Sequence, residues 1–217
     1  MNEILKAAKL DFYMVRPYLK SFVTSFLIAT ALVFFNRSIT FGVVFTTIIS
    51  TMFIVYPFSI SEKNGIEKMH GILPISKKQL VLGRYIFTCA VGLFVPLFST
   101  VVYSVILSLL GDAVSLPEIC MAVIMGFALF GFYAVIELPS FYKYGALKGK
   151  VAAYIPMIGY VVVAFVYIQT GFTEGKVISF ILENPIVIAV AVVLVYIIAY
   201  WISIHLSIRA LQKKEIV

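Results

Sequence analysis

Six stretches of this chain, 18–35, 40–60, 85–110, 116–138, 151–170 and 184–207, run with almost no charge for close to the ~20 residues a helix needs to cross the ~30 Å hydrocarbon core of a bilayer. No other feature restricts the fold as much. In lipid every backbone N–H and C=O must be satisfied within the protein, which leaves only helices and closed barrels. Barrel strands are ~10-residue segments of alternating polarity, whereas these runs are continuously apolar. The expected fold is therefore all-α: a polytopic membrane protein with six transmembrane helices, one transmembrane domain over residues 1–217. Composition agrees, because a chain 62% apolar and 12% charged has too few polar side chains to cover a water-exposed surface.

The formal net charge of +7 would point to nucleic acid in a soluble chain. Here the placement of the charges matters more. Segments 1–20, 61–84, 139–150 and 208–217 hold all 17 basic residues except Arg37 and Lys176, which fall on the opposite side together with Asp112, Glu118, Glu174 and Glu183. The positive-inside rule then puts both termini in the cytoplasm, with no nucleic-acid partner expected. The outer connections NRS, GDAVS and GFTEGKVISFILE are too short for an external domain. The start, MNEILKAAKLDF, lacks the apolar centre of a cleavable signal peptide, so the first span is expected to drive insertion. Cys89 and Cys120 lie in apolar runs and read as small packed hydrophobes, not as a disulfide.

Three cytoplasmic segments carry pattern. Residues 1–17 read as an amphipathic interface helix: Ile4, Leu5, Ala8, Phe12, Val15 and Leu19 share one arc, with Lys6, Lys9, Tyr13, Arg16 and Lys20 opposite or beside it. Such a helix lies in the headgroup layer, and Pro17 bends or ends it. In loop 61–84, Asn64–Gly65 signals a turn, IEKMHGIL forms a short helix closed by Gly71 or Pro74, and Ser76 starts a second helix that runs on into the third span. Lys77, Lys78 and Arg84 give that re-entry helix a basic face toward anionic headgroups, as Lys6, Lys9 and Arg16 do for the first helix. In the third segment, IELPSFYKYGALKGK, Pro139 is expected to end the fourth span, with Tyr142, Lys143 and Gly145 in a compact turn.

Little catalytic chemistry is present. The run Gly145–Val151 imitates a phosphate loop, yet it has three residues between its glycines instead of four and Val151 where Ser or Thr must reach magnesium. The two histidines, His70 and His205, are far apart and form no H-E-x-x-H, and no Gly-x-Ser occurs with a His inside the spans. No catalytic, metal or cofactor-binding residues are expected. Ionisable groups are also scarce in the spans, Glu137 and His205 sitting at span ends, which argues against ion coupling and for an external energy source. The same scarcity suits an apolar or amphipathic substrate. Most of the 19 Phe and 13 Tyr serve packing and interfacial belts, with Tyr56, Tyr103, Phe127, Phe130 and Tyr133 as candidates to line a path.

Two runs carry a resemblance. LPISKKQLVLGRYI, residues 73–86, is similar to L-P-[IV]-[ST]-[RK]-x-x-[IL]-V-x-[AG]-[RK]-Y, and ELPSFYKYGALKGK, residues 137–150, to E-x-P-x-x-[YF]-K-[FY]-G-x-x-K-[AG]-[RK]. Both patterns are common in bacterial ABC-2-type permeases, which this chain resembles over its whole topology. The resemblance implies the membrane subunit of an ATP-driven exporter, working beside a second permease copy or a sister permease above two separate ATPase subunits. It implies an interface helix at 3–16 and a coupling helix within about 62–72, with Glu62, Lys63, Ile66, Glu67, Met69, His70 and Gly71 contacting the ATPase. A smaller contact is implied near 140–148, at Tyr142, Lys143 and Tyr144. ATP and Mg would be bound by the partner and no cofactor by this chain. Short permeases of this kind include exporters of phenol-soluble-modulin-type peptides and of lantibiotics. Export of lipids or drugs, and a non-transporting immunity or signalling role using the same loops, remain open alternatives.

Overall fold

The computed structural model describes residues 3–66, 75–155, 158 and 185–213. Every regular element among them is helical: α1 (Glu3–Val15), a 3-10 turn (Arg16–Tyr18), α2 (Leu19–Asn36), α3 (Ile39–Ser50), α4 (Met52–Lys63), α5 (Lys77–Leu109), α6 (Leu116–Gly149), a second 3-10 turn (Lys150–Ala153) and α7 (Pro185–Lys213). Five stretches are long and apolar enough to cross a membrane: Glu3–Asn36, Ile39–Lys63, Lys77–Leu109, Leu116–Gly149 and Leu194–Lys213. Among the described residues these overlap the first four predicted spans and the sixth, the first of them also taking in the predicted interface helix; most of the fifth, 151–170, lies outside the described residues.

Local chemistry sets the ends. Arg37 adopts a left-handed φ of 52° and returns its N–H to the Val33 carbonyl at 2.9 Å, closing α2. Ser38 then caps α3 through the Phe41 N–H, so α2 and α3 can only fold back on each other. Ser76 and Ser115 open α5 and α6 with full capping boxes, closed by Gln79 and Glu118. The start of α5 at Ser76 was legible in the sequence. At 1.5 Å per residue the 33 residues of α5 reach about 50 Å, some 20 Å more than the hydrocarbon core.

Pro139 does not end the fourth span. Helix α6 runs through it and breaks instead at Gly145, with φ 78° and ψ 176°. Proline has no N–H, so the Val135 carbonyl one turn earlier loses its partner within the helix. Ser203 of α7 donates its hydroxyl to that carbonyl at 2.9 Å. Each hydroxyl has one proton, so Tyr85 of α5 must donate to Ser203 Oγ at 2.6 Å and Ser207 to Tyr85 at 2.9 Å. A neighbouring helix thus satisfies the group that proline frees, the condition lipid imposes.

Packing falls into three clusters. Ala29, Val33, Ile39, Val43, Tyr103, Leu107 and Ala122 hold the α2–α3 turn end of the bundle. Ile54, Phe58, Val81, Tyr85, Phe130, Ala134, Leu138, Phe141 and Leu211 hold the other end, where α4, α5, α6 and α7 meet. Val15, Phe53 and Phe87 tie α1 to that second end.

Candidate functional site

The second end carries nearly all the patterned residues. Helix α1 rests directly on the start of α5, because residue 83 is glycine: a Cβ there would stand 2.5 Å from the Ala7 Cβ and 2.8 Å from the Ile4 carbonyl. The next residue, Arg84, then reaches α1. Its Nε donates to Asp11 Oδ2 at 3.1 Å and its Nη2 to Oδ1 at 2.8 Å, a two-pronged pair with side chains 5% and 4% exposed. The planar guanidinium also lies over the Phe58 ring of α4, 4.2 Å from its centroid, and 5.8 Å from that of Tyr142 in α6. One side chain therefore touches α1, α4 and α6 from a position on α5. Lysine, a point charge on a flexible stem, could make neither the fork nor the stack.

A second link joins the two loop entrances. Glu62, in the last turn of α4, accepts the Ala146 N–H at 2.7 Å. That N–H starts the turn beyond the break at Gly145, so Glu62 acts as the cap of a new helical segment supplied from another helix. The positive φ at Gly145 favours glycine, and a Cβ there would lie 3.3 Å from both Glu62 carboxylate oxygens. Phe58 completes the joint with rings 5.1 Å from Phe141 and 4.9 Å from Tyr142.

Of the residues expected to meet an ATPase, Glu62 and Lys63 are exposed at the end of α4 and Ile66 is half-buried. Glu67, Met69, His70 and Gly71 lie outside the described residues. Lys143 and Tyr144 are exposed, with the Lys143 ammonium 4.9 Å from the Tyr144 ring centre, whereas Tyr142 is buried. Among the expected surface cations, Lys6 pairs with Glu3 at 2.8 Å, Lys9 stands 5.7 Å from the Tyr13 ring centre, Arg16 and Lys78 are exposed, and Lys77 is half-buried. Arg84 departs from the expected headgroup position, being sealed inside the bundle by Asp11. Of the path candidates, Tyr103, Phe130 and Tyr133 are packed inside the subunit, Tyr103 sharing a hydrogen bond with Thr46. Tyr56 is half-buried and stacked on Tyr18 at 4.4 Å, and Phe127 is half-buried. Glu137 lies within the continuous α6, 1% exposed, its Oε2 without a hydrogen-bond partner among the described residues.

Sequence reasoning missed Asp11 and Phe58. A signal for Asp11 existed: Ala7, Asp11 and Val15 follow each other at four-residue intervals and are the three buried residues of α1. An acid in a row of small apolar residues marks a packed face with a cation across it. Among the described residues no group of three or more His, Cys, Asp or Glu could hold a metal ion. The contacts at this end lock α1, α4, α5 and α6 to one another.

A family model described as ABC-2 family transporter protein matches residues 8–212, from within α1 to the last turn of α7. Comparison with curated proteins and with solved structures gives no match.

Proposed function

The chain belongs to the ABC-2 family of transporter proteins, and from that premise we propose that it is the permease of an ATP-driven exporter that moves an amphipathic or hydrophobic substrate, a peptide foremost, out of the cell. The observation that carries this reading is the joint around Arg84 and Glu62. It fixes α1, the end of α4 at Lys63, and the exposed Lys143–Tyr144 segment to one end of the bundle. Those are the three surfaces on which a cytoplasmic ATPase would act, with α1 as interface helix and a coupling helix within 62–72. Both termini are then cytoplasmic, in keeping with the basic residues at this end. ATP and Mg belong to the partner, and a second permease copy or sister permease completes the path. A lock of this kind suits the task, because transmembrane segments must move as intact bodies in lipid.

The test is to tag the chain, extract it from its host in mild detergent and identify what co-purifies. An ATPase with a phosphate-binding loop at one copy per permease supports the reading. Failure to find one after gentle crosslinking removes ATP-driven export and leaves a non-transporting role. Counterflow of labelled peptide, lipid or drug into inverted vesicles then decides the substrate.

A further inference from the structure

A cavity of about 260 Å³ opens in the elbow where α1 turns into α2. Phe12, Leu19 and Phe22 form one wall, and Phe87, Val91 and Phe94 of α5 form the other, with no polar side chain in the lining. Along α5 the groove spans the nine residues from Phe87 to Val95, a rise of about 12 Å, within the ~15 Å depth of one leaflet. Its rim is cationic. Arg16 directly follows Val15 and Lys20 directly follows Leu19, two residues that line the groove, so both cations adjoin its edge. Arg16 and Lys20 are exposed and have no carboxylate partner among the described residues, while the nearby Asp11 is consumed by Arg84. We infer that this elbow is a binding site for an anionic phospholipid, one acyl chain lying in the aromatic groove and the phosphate between Arg16 and Lys20.

Charge decides among occupants. An apolar groove accepts any chain, but a doubly cationic rim favours a net negative headgroup over a zwitterionic one and repels a cationic amphipathic peptide. The bound lipid would fill space that α1 and α5 leave open and hold α1 at the membrane surface. The inference rests on the placement of α1 proposed above and not on export.

Replacing Trp201, the single tryptophan, with Phe and then Phe12 with Trp gives a reporter inside the groove. The variant is reconstituted in phosphatidylcholine vesicles doped with chain-brominated phosphatidylglycerol or chain-brominated phosphatidylcholine. The expected result is half-quenching by the phosphatidylglycerol at a mole fraction roughly 25-fold lower, with about fivefold of the preference lost for each of Arg16→Gln and Lys20→Gln. Ala90→Phe, at an exposed position in the groove wall, should abolish the preference with the cations intact. Equal quenching by the two lipids overturns the site. Quenching by neither overturns it together with the surface placement of α1. Displacement of the brominated glycerol lipid by a cationic amphipathic peptide assigns the groove to peptide and also overturns it.

Discussion

The two ends of the molecule each hold one arginine–aspartate pair, and the pairs differ in nearly everything but chemistry. Arg84 and Asp11 are joined by two hydrogen bonds, with side chains 5% and 4% exposed. Arg37 and Asp112 meet through a single contact of 2.9 Å, with side chains 45% and 41% exposed. The exposed pair bridges two tight turns that already have their own caps in Ser38 and Ser115. The buried pair fastens α1, whose other anchors are the apolar contacts of Ala7 and Val15 with α4 and α5. A contact of the same type is therefore an accessory at one end and a structural joint at the other.

The largest expected effect comes from breaking the buried pair. Arg84→Ala or Asp11→Asn leaves a buried polar group facing a lost partner and should cost about 3–5 kcal/mol, read as a fall in the unfolding midpoint in detergent and as new protease cleavage in α1. Arg84→Lys keeps the charge but loses the fork and should recover only part of that loss. Recovery to the native midpoint would mean that charge alone holds α1.

Gly145→Ala tests the second link at the same end. Placing a side chain at φ +78° beside Glu62 should cost about 1–3 kcal/mol, whereas Glu62→Gln, which keeps an acceptor for Ala146, should cost less. Equal losses would place the strain in the charge and not in the backbone. Ser203→Ala, which strips the Val135 carbonyl freed by Pro139, should cost about 1 kcal/mol. Smallest of all, Arg37→Ala should change stability by at most about 1 kcal/mol. That small change should vanish at high salt, while the Arg84→Ala loss should not, because a buried pair is poorly screened. A salt-insensitive Arg37→Ala effect of equal size would erase the contrast between the ends.

Much of this architecture was legible in advance for a simple reason. Lipid leaves so few ways to satisfy a backbone that long apolar runs and the distribution of lysines specify helices and their limits. Ser76 and Gln79 announced the start of α5 by local chemistry alone. Pro139 misled because its local rule, loss of one hydrogen bond, was overridden by Ser203, which lies 64 residues further along the chain. Arg84 misled for a related reason. The helical wheel assigns a basic residue to a polar face, but a cation can also face a buried acid when a glycine beside it lets another helix come within contact.

Composition and periodicity thus determined what kind of molecule this is: helical throughout the described residues, multi-spanning and basic at one end. Those properties are local or cumulative, and each residue contributes to them without reference to distant ones. Tertiary structure alone decided which polar groups meet. The pairing of Asp11 with Arg84, of Glu62 with the Ala146 N–H and of Ser203 with the Val135 carbonyl each joins residues more than 60 apart in sequence. In a low-dielectric interior the cost of leaving such groups unpaired is large, and only the packing of whole helices determines which partners are within reach.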